Sequence, residues 1–228
     1  MKYIIMCGGQ YDKWDIPKHL LEINGEPLVA RTIRLLKNNG ITDIAISTND
    51  ERFEVLGVPL LHHYNPFTVT SNVGDWVDAF YPMNEPCCYL FGDVYYSPQA
   101  IKTIVETEVG DVKYFASSPP FSQYFMKEWA EPFAFKVVNQ KYFKECIHKV
   151  KELKAKGCFY REPIAWELWQ VIKGTPINTI DYNNYTTIND YTCDIDTPED
   201  VDKLKEVLAQ VKQQEEQYKR DLSRICGL

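Results

Sequence analysis

The sequence predicts an α/β fold: a single domain with a mostly parallel sheet flanked by helices. Short apolar runs, such as those over 3–6 and 87–91, alternate with segments of helical periodicity along most of the chain. The segments between those runs are long enough to carry the chain back across a sheet, as parallel strands joined by right-handed crossovers require. At 228 residues, with 45% hydrophobic and 25% charged side chains, the chain can bury one sizeable core.

The opening segment organises the rest. Its first apolar run, 3–6, reads as a buried strand, and Cys7, Gly8 and Gly9 follow at once. A glycine pair after a strand permits a sharp turn and close approach of backbone to ligand, and the amides of such a turn can cradle an anion. Lys13 and Lys18 bring two positive charges into the same stretch. Pro17 keeps the chain extended ahead of Lys18, Gly25 turns it, and Pro27 opens a helix predicted over 27–39. Gly40 closes that helix.

A strand is predicted at 44–47, an edge strand within 53–61, and a helix over 72–80 with Val73, Trp76, Val77 and Phe80 on one face. The third buried strand, 87–91, includes Cys87 and Cys88 as small packing groups and turns at Gly92. Next come a helix over 98–109, strands at 113–117 and 132–138, and a helix over 140–156. A second helix near 163–172, a strand near 191–195 and a long last helix complete the order. Trp166 and Trp169, three residues apart, read either as a packed helix face or as part of an aromatic ligand site.

Composition removes several function classes. The net charge of −7 argues against a nucleic-acid partner, which depends on clustered basic residues. No apolar stretch approaches the roughly 20 residues that span a bilayer, so no membrane is expected. The first residues do not have the form of a secretion signal. Seven cysteines lie scattered without metal-type spacing, which fits reduced thiols in a cytoplasmic enzyme. No G-x-G-x-x-G follows the first strand, so a dehydrogenase is excluded.

Two acidic stations lie downstream. Asp93 follows the strand 87–91 directly, at the sheet edge where open α/β folds bind ligands. Asp194 and Asp196 project to one side of the strand 191–195, whereas Thr197-Pro198-Glu199-Asp200 is a helix cap. Carboxylates of this kind suit Mg²⁺ together with the phosphates of a substrate.

The order Gly8-Gly9, Pro17-Lys18, Asn24-Gly25-Glu26-Pro27-Leu28, then Gly92-Asp93, then Ile195-Asp196-Thr197-Pro198-Glu199-Asp200 resembles the nucleotidyltransferases that activate sugar phosphates. The resemblance touches the start, middle and end of the chain. It implies a nucleotide-diphospho-sugar transferase (Rossmann-like) fold with acceptor-binding insertions. Residues 1–110 would be the nucleotide-binding half and 111–198 the acceptor-binding half, with 199–228 a C-terminal helix. It also implies Mg²⁺ on Asp93 and Asp196 with Asp194 in support, and catalysis by Lys18, Asp93 and Asp196. The triphosphate would lie on Cys7, Gly8, Gly9, Lys13 and Lys18. The loop here, GGQYDKW, is shorter than the family's and lacks its extra glycine and its arginine, whose work the resemblance would leave to Lys13.

A further stretch, Asn65-Pro66 and then Ser71-Asn72 to Asp75, resembles the part of phosphocholine cytidylyltransferase-like proteins beside the base and ribose. It departs from them at Ser71 and Asp75. The resemblance implies CTP as nucleotide, bound also by Asn65, Ser71, Asn72 and Asp75. Glu131, Glu162 and Trp166 are the candidates for a small phosphorylated acceptor. Sugar phosphates, phosphocholine, and phosphonate or phosphorylated amino-acid acceptors all remain open. A glycosyltransferase using a nucleotide sugar and a non-catalytic nucleotide-binding relative are the alternatives.

The last helix carries apolar residues at Val201, Leu204, Leu208, Val211, Tyr218, Leu222 and Ile225, alternating steps of three and four broken at Glu215. At 1.5 Å per residue, 199–225 would extend roughly 40 Å, more than this domain needs. Its first half is expected to pack on the parent sheet. The second half either folds back on its own domain or pairs with a second copy as a homodimer.

Overall fold

The computed structural model describes residues 1–8, 14–63, 74–118, 124–125, 130–179 and 183–226. A seven-stranded sheet runs through the domain. Its strands are β1 (Lys2–Met6), β4 (Ile44–Ser47), β5 (Leu60–Leu61), β6 (Cys87–Phe91), β8 (Val112–Ser117), β9 (Pro132–Val137) and β10 (Thr186–Ile188), in the order β10-β8-β9-β6-β1-β4-β5. Two pairs of short strands stand apart, β2 (Glu22–Ile23) with β3 (Glu26–Pro27) and β7 (Val94–Tyr95) with β11 (Cys193–Asp194). The helices are α1 (Leu28–Asn38), α2 (Pro98–Glu106), α3 (Gln140–Ala155), α4 (Ala165–Lys173) and α5 (Pro198–Cys226).

The sheet is mostly parallel, as expected, with one exception. Strand β9 runs antiparallel to both neighbours, β6 and β8. All the other pairings are parallel. The central strands are apolar on both faces because both faces are covered: every residue of β6 is buried, as are Tyr3 to Met6 of β1. Cys87 and Cys88 are fully buried in that core, and Cys7, Cys87, Cys88, Cys146, Cys158 and Cys193 are free thiols.

Local chemistry fixes the ends of elements. Asn24 at φ 56° and Gly25 at φ 79° form the two-residue turn between β2 and β3, the left-handed pair that tight hairpins favour. Ser97 caps α2 through its hydroxyl, which accepts from the Ala100 amide at 2.8 Å. At the other end of α2, Lys136 of β9 donates to the carbonyls of Ile104, Val105 and Thr107, which neutralises that end of the helix dipole.

The helix expected over 72–80 is replaced, among its described residues, by one short 3₁₀ turn at Trp76–Ala79. Gly74 at φ 81° and extended Asp75 cannot continue a helix. The aromatic residues read as a helix face still point to the core: Trp76 meets Phe91 edge-on, and Phe80 meets Tyr89, Phe135 and Phe143.

The first half of α5 packs elsewhere than expected. Leu204 and Val207 join Ile23, Leu28, Tyr95, Cys193 and Ile195 in a second core, with Val201, Leu208 and Val211 at its margin. That core lies on the β7–β11 ladder and the β2–β3 hairpin, not on the main sheet. Beyond it the stripe is bare: Tyr218 is 65% and Ile225 81% exposed. No helix among the described residues is long and apolar enough to cross a membrane.

Candidate active site

Three aspartates and one lysine meet at the carboxyl edge of β1 and β6. Gly92 extends the pairing of these strands by one step, its amide donating to the Met6 carbonyl at 3.0 Å. Asp93 follows in the turn to β7. The β7–β11 ladder sets Asp194 opposite Val94, and the Ile195 amide donates to the Asp93 carbonyl at 3.0 Å. Chain segments a hundred residues apart are thereby held side by side. Asp196 is fixed from its other flank: its amide and that of Thr197 donate to the Asp200 carboxylate at 3.1 and 2.8 Å. Thr197 and Asp200 form the cap that the sequence indicates, and the cap orients Asp196 as well as starting α5.

Carboxylate oxygens of Asp93, Asp194 and Asp196 lie within 4.8 Å of one another. Lys18 reaches into this group, its Nζ 2.7 Å from Asp93 Oδ2 and 2.7 Å from Asp196 Oδ1. A 3₁₀ turn over Lys18–Leu20, started by Pro17, aims the lysine. Next to it His19 is buried, edge-on to Phe53, and anchors the turn.

The electrostatics follow from this crowding. Burial, followed by the charges of Asp93 and Asp196, pushes the Asp194 carboxyl well above the usual carboxylate range. Burial would raise Asp93 too, but Lys18 and His19 outweigh it and hold that carboxyl below its ordinary value. For Lys18 burial favours the neutral amine, and the combined pull of the three aspartates prevails and raises it. His19, with burial dominant, is lowered to about 4 and is neutral at physiological pH.

Asp194 Oδ1 is buried without a hydrogen-bond partner among the described residues. Such an atom is costly, and here it sits in an oxygen-only donor set. That chemistry fits a hard divalent cation such as Mg²⁺.

The other expected site residues divide three ways. Among the described residues, nothing lies within 4 Å of where a Cβ on Gly8 would stand, which leaves its backbone accessible on that side. Cys7 is placed differently from the expectation: its side chain is fully buried and its amide donates to the Ser47 carbonyl at 2.8 Å. Its amide is therefore not free for a phosphate, and the residue floors the site. Gly9, Lys13, Asn65, Ser71 and Asn72 lie outside the described residues.

Asp75 and Glu162 come together, both bonded to Lys154 of α3 at 2.9 and 2.8 Å. Lys151, one turn earlier, pairs with Asp78 at 2.9 Å. Both carboxylates are thus neutralised inside the protein, and nothing in the sequence pairs them with α3 in advance. Trp166 is a packing residue, not an acceptor contact: it is 1% exposed, meets Tyr114 and Tyr185 edge-on, and donates to the Ala130 carbonyl at 2.8 Å. Glu131 is buried before β9, near enough to the aspartates to raise Asp194 further.

Sequence reasoning missed the demand on Gly92. A Cβ there would stand 2.5 Å from the Met6 carbonyl oxygen, 2.6 Å from Cys7 Sγ and 2.8 Å from His19 Cδ2. The Gly-Asp pair was legible, and the close approach behind it was not.

A mostly parallel seven-stranded sheet with a lysine and clustered aspartates at its carboxyl edge defines a protein of the nucleotide-diphospho-sugar transferase fold. Residues 3–107 match the family described as the MobA-like NTP transferase domain. Over those residues the match agrees with the resemblance to nucleotidyltransferases read from the sequence. Among solved structures, the chain is similar to CTP:phosphocholine cytidylyltransferase from Streptococcus pneumoniae, at 18% identity and a TM-score of 0.53, covering 91% of this chain and 98% of that one. It is similar to a putative glucose-1-phosphate thymidylyltransferase from Bacillus anthracis, at 16% identity and a TM-score of 0.56, covering 90% and 93%. It is also similar to inositol-1-phosphate CTP transferase from T. maritima, at 16% identity and a TM-score of 0.50, covering 92% and 96%. No curated protein matches the chain in sequence.

Proposed function

We propose that the protein is a nucleotidyltransferase that transfers an NMP, CMP from CTP by preference, to a small phosphorylated acceptor with release of pyrophosphate. The observation that carries this reading is the convergence of Lys18 with Asp93, Asp194 and Asp196 at the carboxyl edge of β1, the strand that Gly8 follows. Residues 1–110 form the nucleotide side in this reading and 111–198 the acceptor side. The free thiols suit a cytoplasmic enzyme.

A phosphate monoester, with a second pKa of about 6, is largely a dianion at neutral pH. It needs no general base to attack the α-phosphorus. The obstacles are repulsion between anions and the charge that develops on departing pyrophosphate, so catalysis is alignment plus positive charge. Asp93, Asp194 and Asp196 would hold Mg²⁺, which when bound offsets the charge of the α-phosphate and the acceptor. Lys18 neutralises the transferring phosphate. In this reading Gly8, Gly9 and Lys13 bind the triphosphate, and Asn65, Ser71 and Asn72 the nucleoside. Glu131, at the same edge as the aspartates, faces the acceptor.

The test is pyrophosphate release, screened over four nucleoside triphosphates and a panel of phosphorylated sugars, phosphocholine and phosphorylated amino acids. CTP should exceed every other triphosphate by at least tenfold in kcat/KM, a difference of about 1.4 kcal/mol. A tenfold preference for UTP or dTTP would overturn the cytidylyl assignment alone. Release of a nucleoside diphosphate from a nucleotide sugar, with no pyrophosphate from any pair, would point to a glycosyltransferase instead.

The distal half of α5 is proposed as a homodimer contact, since Tyr218, Leu222 and Ile225 continue the apolar stripe past the body of the domain. The intact chain should sediment as a dimer and a chain ending at Gln217 as a monomer. Monomers in both cases would remove the proposal.

A further inference from the structure

We propose that Lys18 is the resident counter-cation of the aspartate site, and that a divalent cation enters by exchanging with its ammonium group. This rests on the metal-binding reading given above. Lys18 Nζ touches two of the three carboxylates at once, 2.7 Å from each. An ammonium at that distance from Asp93 and Asp196 stands between the oxygens that a metal ion would draw together. Its side chain is 12% exposed and that of Asp93 27%, so water screens the pair poorly. Asp194 completes the charge cluster, and among the described residues its Oδ1 has no partner.

Two cations cannot share this space cheaply. A divalent ion bound by the same carboxylates would stand a few ångströms from an ammonium still held there, and their repulsion would weaken both contacts. The lysine backbone is fixed, with Pro17 ahead of it, the 3₁₀ turn closed by the Leu20 amide on the Pro17 carbonyl at 2.8 Å, and buried His19 behind. The flexible four-carbon stem is the part that can move. Displaced from a carboxylate, the ammonium needs another anion, and the phosphates of the incoming nucleotide supply one.

The ion and the nucleotide are therefore coupled through one side chain. Each makes the other's binding more favourable, and the coupling is reciprocal. Without nucleotide the ion should bind weakly, because it must evict the lysine unaided. In this arrangement the residue that holds the carboxylates before metal binds becomes, on loading, the one that neutralises the reacting phosphate.

Titration calorimetry with Mn²⁺ alone, without nucleotide, tests this on the full chain and on two variants. Lys18→Met removes the competing charge and should bind Mn²⁺ at least tenfold more tightly than wild type. Lys18→Arg keeps the charge and should bind as weakly as wild type. Thermal melting should find metal-free Lys18→Met less stable than wild type and restored by Mn²⁺. Equal affinity in all three proteins would overturn the exchange while leaving the metal site standing. Absence of Mn²⁺ binding in any of them at millimolar concentration would overturn the metal site itself. A crystal structure of the wild-type protein with Mn²⁺ decides independently of how well Lys18→Met folds. Nζ should leave at least one of the two carboxylates, and Nζ still bridging both beside a bound ion would refute the proposal.

Discussion

Asp93→Ala and Asp196→Ala are each expected to abolish turnover, a loss of about 10³-fold, the scale seen when one preorganised electrostatic group is removed from an active site. Neither change should unfold the protein. The Asp93 side chain is 27% and the Asp196 side chain 61% exposed, so neither deletion opens a core cavity. Each also removes one of three mutually repelling carboxylates, which offsets the lost contact to Lys18. The check is pyrophosphate release at saturating substrate, beside a melting curve that holds its wild-type midpoint. Full activity in either variant would defeat the proposed metal site. Asp194→Asn should approach the same loss. The sequence makes Asp194 a supporting ligand only, but the structure turns its buried and unpartnered oxygen toward the other two. A mild phenotype there would return Asp194 to the lesser role.

What could be read in advance followed from periodicity and local chemistry. Apolar runs bounded by glycine and proline marked β1, β4, β6, β8 and β9 to within a residue or so, because a strand buried on both faces must be apolar throughout. The Asn24-Gly25 turn and the Thr197–Asp200 cap were legible because each is satisfied by its own few residues. The direction of β9 was not legible. Period-two patterning says nothing of parallel or antiparallel pairing. The helix over 72–80 was overread, since spacing cannot reveal that Gly74 turns left-handed just ahead of Trp76. Strands β7 and β10 were missed, being two or three residues long and held by neighbours rather than by propensity.

The site divides along the same line. Residue types and their order identified Lys18, Asp93 and Asp196, because charge at a sheet edge has few structural uses. Their mutual contact spans 178 positions, from Lys18 to Asp196, and only the fold could supply it. Trp166 shows the opposite case: aromatic residues at helical spacing suit a core and a ligand pocket equally, and burial decided for the core. Asp75 and Glu162 were read singly, whereas Lys154 joins them.

Gly92→Ala should be the most damaging single-methyl change in the molecule, in stability and activity together. The cause is contact rather than backbone conformation. The new Cβ would meet the Met6 carbonyl oxygen at 2.5 Å, Cys7 Sγ at 2.6 Å and His19 Cδ2 at 2.8 Å. None can yield easily. Met6 O belongs to a central strand and accepts the Gly92 amide, and Cys7 and His19 are both buried. Overpacking of this kind costs about 1–3 kcal/mol, which for a chain of this length lowers the melting midpoint by about 2–4 °C per kcal/mol. Relief must come from moving the turn that carries Asp93, and a displacement near 1 Å at such a position costs about 10²-fold in rate. Gly8→Ala is the control for stability: among the described residues its Cβ meets nothing within 4 Å, so its melting midpoint should stay within a degree or so of wild type. A Gly92→Ala protein with wild-type melting and wild-type kcat would mean that the β6–β7 turn is not the rigid mount for Asp93 that the contacts describe.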